Sequence, residues 1–217
     1  MNSGIFHKKI TSNLVSLLLL STVIWICYSS SLSAGWHMDD TPNILKNHYL
    51  HITSLSPRHL VKTFFTDPHN PEELGSSPYR PVACLSFALN WYFGQDNVFG
   101  YHVVNIAIHI LTAFVLFLFC RDLFKTPKVR SDFRRSPVYI AFFASILWAV
   151  NPVQTQAVTY IVQRMAQLAA LFYLLGMFAY LKGRLNDSFI QSIFYFAACT
   201  VFYFLGIFSK ANAAMMP

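Results

Sequence analysis

The sequence predicts an all-α fold, a polytopic membrane helical bundle of about five transmembrane helices with an extracytoplasmic loop that contains amphipathic helices. Three observations predict it. Of the 217 residues, 55% are hydrophobic and 12% charged, about half the charged fraction of an ordinary soluble domain. The apolar residues gather into runs at Ile10 to Leu32, Tyr101 to Cys120, Val138 to Val150, Met165 to Leu181 and Phe189 to Phe208, against roughly 20 residues needed to cross the hydrocarbon. The charges sort by loop, as they do in membrane proteins.

Residues 1–34 form a cytoplasmic N-terminus and the first transmembrane helix. Lys8 and Lys9 ahead of the apolar run, and the small residues Ser31-Leu32-Ser33-Ala34 after it, also fit a cleaved secretory signal. The further apolar runs favour a retained signal anchor instead. Residues 35–100 form the extracytoplasmic loop. It holds six of the nine acidic groups (Asp39, Asp40, Asp67, Glu72, Glu73, Asp96) and four basic ones. By contrast Arg121, Lys125, Lys128, Arg130, Arg134 and Arg135 crowd the loop after the second helix, and Lys182 and Arg184 follow the fourth. The positive-inside rule puts those basic loops and the N-terminus in the cytoplasm, and the 35–100 loop outside. Residues 101–217 carry helices two to five. The third run is short, and Pro152 ends it or kinks it. Ala213 to Pro217 read as the opening of another apolar segment, which suggests either a fragment of a longer protein or a gene product cut short.

The formal net charge of +7 lies where topology wants it, so no nucleic-acid partner is expected. Cys27, Cys84, Cys120 and Cys199 are scattered without CxxC spacing, which predicts neither a disulfide nor a zinc site. Of the loop histidines His37, His48, His51, His59 and His69, only His48 and His51 are closely spaced, so no metal site is expected from them.

In the outer loop, Ser56-Pro57 supplies an N-cap and a first-position proline to RHLVKTFF, whose Leu60, Val61, Phe64 and Phe65 form an apolar stripe for the membrane surface. DPHNPEELGSSPYRP breaks regular structure with four prolines and a glycine. VACLSFALNWYF then returns to an amphipathic helix. Two polar stripes mark the later helices. His102, Asn105, His109 and Thr112 share one face of the second. Gln156, Tyr160, Gln163 and Gln167 share another face after Pro152, with Arg164 beside them. These polar groups, Thr112 and Gln167 apart, are candidate cavity-lining residues; interhelical hydrogen bonding is the alternative.

The adjacent Asp39 and Asp40 in GWHMDDTPNI sit just past the first apolar run, where lipid gives way to water. A carboxylate pair there costs desolvation and repulsion, so it points to a nearby cation, a phosphate-bearing lipid, or a proton to be removed. An acidic start to a helix at Thr41-Pro42 is the plainer alternative.

HMDDTPNI, SPYRPVACLSFALNWYFG, GYHVVNIAIHIL, NPVQTQAVTYIVQRMAQLAALFYLLGMFAY and FSKANAAMMP occur in that order. Together they resemble the membrane half of the transmembrane and tetratricopeptide-repeat-containing proteins, a family with many bacterial relatives that is similar to O-mannosyltransferases of the glycosyltransferase C superfamily. The resemblance implies a polyprenyl-phosphate-linked sugar donor, a hydroxyl acceptor on protein or glycan, and an active site at the extracytoplasmic face. The membrane is then the bacterial cytoplasmic membrane or the endoplasmic reticulum. It also implies further helices and helical repeats. Two positions depart from the pattern: Ala211 stands where a glutamate usually follows the lysine, and Asn151 where a histidine usually precedes PVQTQAV. The first departure removes an acidic group and puts activity in question, and this chain alone is expected to be poorly active or inactive.

On this reading one of Asp39 and Asp40 is the catalytic base and the other positions it or helps hold a cation, with Asp40 favoured because Thr41-Pro42 fixes its backbone. Polyprenyl phosphate leaves as an anion, so one base suffices. Arg80, with Arg164 and Lys210, is expected at the donor phosphate; a divalent cation such as Mg or Mn is an optional cofactor. A non-catalytic membrane scaffold for the repeats is the main rival, and a transporter the third.

Overall fold

The structure is a computed structural model, and it describes residues 2–65, 80–127, 129 and 136–216, with side chains from residue 13 onward except that of Phe65. The expectations for DPHNPEELGSSPY, including Asp67, His69, Glu72, Glu73 and Tyr79, and for Lys128, Arg130, Arg134 and Arg135 lie outside those residues. Every regular element among the described residues is helical. The helices are α1 (Asn2–Tyr28), α2 (Pro57–Lys62), α3 (Pro81–Gly94), α4 (Val98–Leu123), α5 (Pro137–Ala149), α6 (Gln154–Thr159), α7 (Arg164–Arg184) and α8 (Phe189–Ile207).

Local chemistry sets their ends. The Ser56 hydroxyl accepts the His59 amide ahead of Pro57, which caps α2 as the sequence suggests. Asn97 caps α4 by accepting from the Phe99 amide at 3.0 Å. Pro81 and Pro137 open α3 and α5. α5 stops at Ala149, and the Asn151 carboxamide accepts the Val153 amide in the turn that follows. Asn13–Ser33, Val98–Leu123, Ile161–Arg184 and Phe189–Ile207 are long and apolar enough to cross a membrane. α5 has 13 residues, about 20 Å of helix against roughly 30 Å of hydrocarbon. The chain is a membrane protein.

α4 is the central strut, packed against α1, α5 and α7, while α8 lies along α7. Close approach of the chain end to this pair depends on glycine: a Cβ on Gly206 would stand 3.1 Å from the Cβ of Ala213. α8 turns Phe189, Ile190 and Phe194 outward, which in a spanning helix is a face for lipid. One core cluster joins Ile44, Leu50, Phe87, Tyr101, Ile161 and Met165, so the outer loop packs directly on α3, α4 and α7.

The two ends of the bundle differ chemically. At one, the Tyr28 hydroxyl donates to the Ala149 carbonyl at 2.9 Å, joining the ends of α1 and α5. At the other, the Asp122 carboxylate accepts from Arg121 Nε at 2.9 Å and from Lys182 Nζ, with Lys125 Nζ at 3.6 Å, and Arg121 also reaches Asn13. That cluster ties α1, α4 and α7 at the end where the basic loops emerge.

Candidate functional site around the paired aspartates

The segment after α1 turns sharply at His37–Asp40, with Met38 in the left-handed region at φ 30°. Asp40 holds this turn. Its side chain is fully buried, Oδ2 accepts the His37 amide at 3.0 Å and Oδ1 accepts the Val162 amide at 2.7 Å. A single carboxylate thus joins the turn to a chain segment 122 residues away. Burial raises its pKa, making it a weaker acid, while the two amides pull the other way.

Asp39 faces solvent. Its amide donates to the Tyr160 hydroxyl at 2.8 Å. Burial pushes the Tyr160 phenol up, and the Asp39 carboxylate and the charges of Asp39 and Asp40 add to the rise. The sequence favoured Asp40 as base; in the structure both its oxygens are engaged by backbone amides and its side chain is buried, whereas Asp39 is accessible.

The segment that meets the aspartates is a broken helix. α6 ends at Thr159, Tyr160 is extended (φ −87°, ψ 112°), and a single 3-10 turn at Ile161–Gln163 precedes α7. A break leaves backbone carbonyls without helical partners, and inside a bundle side chains must supply them. Asn105 does so, donating from Nδ2 to the carbonyls of Val158 and Ile161, each at 3.3 Å. Gln167 donates to Ala157. His109 Nε2 lies 2.9 Å from the Ala149 carbonyl, with its ring stacked on Trp148 and edge-on to Tyr28. His102 Nε2 lies 3.2 Å from the Ala34 carbonyl.

These contacts correct two expectations. His102, Asn105 and His109 do share a face of α4, but they are buried against backbone carbonyls where the other segments end or break, so they hold chain ends rather than line an open cavity. Gln156, Tyr160, Gln163 and Gln167 do not share a face, because the extended Tyr160 interrupts the helical repeat; Gln156 is exposed and Gln163 half-buried.

Arg164 is corrected as well. It was expected at the outer face on a donor phosphate, yet it is fully buried. Nε donates to Asn105 Oδ1 at 2.7 Å, Nη1 to Asn90 Oδ1 at 2.6 Å and the Ser86 carbonyl at 3.2 Å, and Nη2 to the Tyr101 carbonyl at 2.9 Å. The guanidinium also lies over the rings of Phe87 at 4.7 Å and Tyr101 at 5.5 Å. It therefore joins α3, α4 and α7. Its side-chain acceptor on α3 escaped the sequence reading, although Asn90 in SFALN was the available signal.

Arg80 and Lys210 come to the same corner. Val82 donates its amide to the Phe208 carbonyl at 3.2 Å, setting the start of α3 against the end of α8. Arg80 is half-buried; Nη1 lies 3.0 Å from the Met165 sulfur, and Nε has no hydrogen-bond partner among the described residues. Lys210 borders a cavity of about 440 Å³ walled by Trp148, Ala169, Tyr173 and Leu174. Among the described residues, the ion pairs converge on Asp122 at the opposite end, and no group of three or more His, Cys, Asp or Glu is arranged for a metal ion. Ala211, beside Lys210, is exposed.

Over 176 residues, 81% of its length, the chain is 31% identical to the human protein O-mannosyl-transferase TMTC3. The chain belongs to the TMTC family. It is also 31% identical over 85% of its length to the Caenorhabditis elegans protein O-mannosyl-transferase F38B6.6, and 30% identical over 76% to human protein O-mannosyl-transferase TMTC4. It spans 18%, 26% and 23% of those three relatives. No family profile and no solved structure matches the chain.

Proposed function

We propose that this TMTC chain forms part of a membrane glycosyltransferase that moves mannose from a polyprenyl-phosphate donor to a hydroxyl of a protein or glycan at the extracytoplasmic face. One observation carries the reading. A solvent-facing Asp39, braced by a buried Asp40, stands at the bundle end where Arg80 and Lys210 have no carboxylate partner among the described residues. Contacts link these groups in order: Asp40 to Val162, Met165 one helical turn later to Arg80, and Val82 to Phe208 beside Lys210.

In the reaction, Asp39 takes the proton of the acceptor hydroxyl. The hydroxyl oxygen forms a bond to the anomeric carbon of the sugar, the bond from that carbon to the phosphate oxygen breaks, and the lipid phosphate departs with the electron pair. Arg80 and Lys210 neutralise its charge. Of the two aspartates, only Asp39 would offer a divalent cation, Mg or Mn, a carboxylate not engaged by backbone amides, because both oxygens of Asp40 accept amides. The neutralising charge is therefore assigned to the two side chains.

The test uses an intact TMTC relative in proteoliposomes, substituted at the residues that align with those named here, with radiolabelled polyprenyl-phosphate mannose and a serine- and threonine-containing peptide. Donor binding and transfer are measured separately. Asp39→Asn should keep donor binding and lose transfer, while Arg80→Lys should weaken donor binding because the two-pronged contact is lost. Unchanged donor binding in both Arg80→Lys and Lys210→Gln, or full transfer in Asp39→Asn, would overturn the assignment in favour of a membrane scaffold.

A further inference from the structure

Between α4, α7 and α8 lies a cavity of about 410 Å³ that the transferase reading does not use. Phe119, Leu123, Met177, Tyr180, Leu181 and Cys199 wall it, side chains that are apolar but for one phenol and one thiol. Tyr180 is exposed, so the cavity opens at the protein surface. Its inner end lies past the midpoint of α7, where the Met216 side chain packs on Gly176; a Cβ there would stand 2.6 Å from the terminal carbon of the methionine. Its other end runs to Leu123 and Leu181, whose chain neighbours Asp122 and Lys182 belong to the charged cluster at the end of the bundle away from the aspartate pair. The mouth of the cavity is therefore next to that cluster.

The cluster holds more positive charge than its carboxylate neutralises. Asp122 gives one oxygen to Arg121 Nε and the other to Lys182 Nζ, so two cations meet one anion. Arg121 is buried and its Nη1 reaches Asn13. Lys182 is part-exposed, with its ammonium 5.2 Å from the centre of the Phe178 ring. An ammonium has three donors, and among the described residues Asp122 accepts from one of them. The exposed Lys125 brings a further charge, 3.6 Å from the same carboxylate. An apolar hollow within the membrane, with excess positive charge at its mouth, complements a hydrocarbon chain that carries an anionic head.

We propose that this cavity binds an anionic phospholipid of the cytoplasmic leaflet, with the lipid phosphate on Lys182 and one acyl chain between α4, α7 and α8. The proposal does not depend on the transferase reading; it uses the orientation that the basic loops give the bundle. Hydrocarbon alone cannot select this lipid, because every lipid has it. Selection falls to the head, where a basic side chain at an anionic membrane surface favours binding about fivefold.

The test uses the 217-residue chain in phosphatidylcholine nanodiscs that contain a probe lipid with a diazirine on one acyl chain, either phosphatidylserine or phosphatidylcholine. After irradiation, labelled residues are quantified by mass spectrometry. The outward Phe189, Ile190 and Phe194 of α8 report the surrounding lipid and serve as reference. Label at Met177, Tyr180 and Cys199, relative to that reference, should be about fivefold higher with the phosphatidylserine probe. Lys182→Gln should bring the two probes level, and Lys182→Arg should keep the selection. Asp122→Asn breaks the same ion pair but raises the excess positive charge, so its selection for phosphatidylserine should rise. Equal cavity labelling by the two probes in the parent chain overturns the proposal, as does label confined to the outward face of α8. Selection lost in Asp122→Asn as fully as in Lys182→Gln would also overturn it, because the cluster would then serve to hold the helices together.

Discussion

Replacing Arg164 by alanine withdraws a guanidinium from four acceptors, Asn105, Asn90, Ser86 and Tyr101, and from the faces of two rings. Hydrogen bonds to a charged group contribute roughly 1.5–3 kcal/mol each, so the gross loss is about 6–12 kcal/mol. Against it stands the cost of holding that charge away from water, several kcal/mol, which the variant no longer carries. Water entering the vacated space recovers part of the remainder. The net destabilisation should be about 3–5 kcal/mol. Arg164→Lys should fall between, because an ammonium has three donors and no planar fork to meet acceptors on three helices. Reversible unfolding in mixed micelles, followed by far-ultraviolet circular dichroism as denaturing detergent is added, measures both variants. Donor binding to the folded fraction is measured beside it. Stability within about 0.5 kcal/mol of the parent in both variants, with donor affinity lost instead, would refute the structural role and return Arg164 to the donor phosphate.

Asp40 should make stability pH-dependent. Burial raises its folded value above the unfolded one, so its contribution is fully present below the unfolded value and is lost as pH rises through the folded one; thermal unfolding from pH 3.5 to 7 should show that fall. Asp40→Asn should flatten the profile and lower it throughout, because a carboxamide cannot accept from both His37 and Val162, and parallel profiles would count against this. His51 stacks on Trp91 at 3.4 Å beside His48, with Nε2 near the Ile44 carbonyl, and burial lowers its value from 6.5. Its contribution is present above 6.5 and is lost as pH falls through the lower folded value, so Trp91 fluorescence should change there and not in His51→Gln; a transition surviving in that variant would assign it elsewhere. For topology, a cysteine at Thr53 should react with a membrane-impermeant maleimide applied from the extracytoplasmic side and one at Arg184 should not, and the reverse would move the aspartate site to the cytoplasm.

The helices were legible because each is encoded locally. Ser56-Pro57, Pro81 and Pro137 mark starts, and Pro152 follows the end of α5 closely. The place of the aspartate pair, at the end of the first apolar run, was legible. What each of the two carboxylates touches was not. Sequence spacing placed Gln156, Tyr160 and Gln163 on one face by assuming a continuous helix, and the extended backbone at Tyr160 removes that premise. The break itself depends on Asn105 and Asp40, which lie 50 residues or more away in sequence and supply the partners a helix would otherwise provide.

Composition, apolar run length and the division of basic residues were enough to determine a helical membrane bundle, because the bilayer demands long apolar helices and membrane insertion sorts the charges. The ordered motifs were enough to place the chain in the TMTC family. Tertiary structure alone decided which polar groups are free and which are consumed. Asp39 and Asp40 are adjacent and chemically identical, yet one faces water and the other is sealed against Val162; Arg80 and Arg164 are both arginines, yet Arg164 is spent on four protein acceptors. Burial and hydrogen-bond satisfaction depend on what long-range packing brings alongside a residue, and a local pattern carries no record of that.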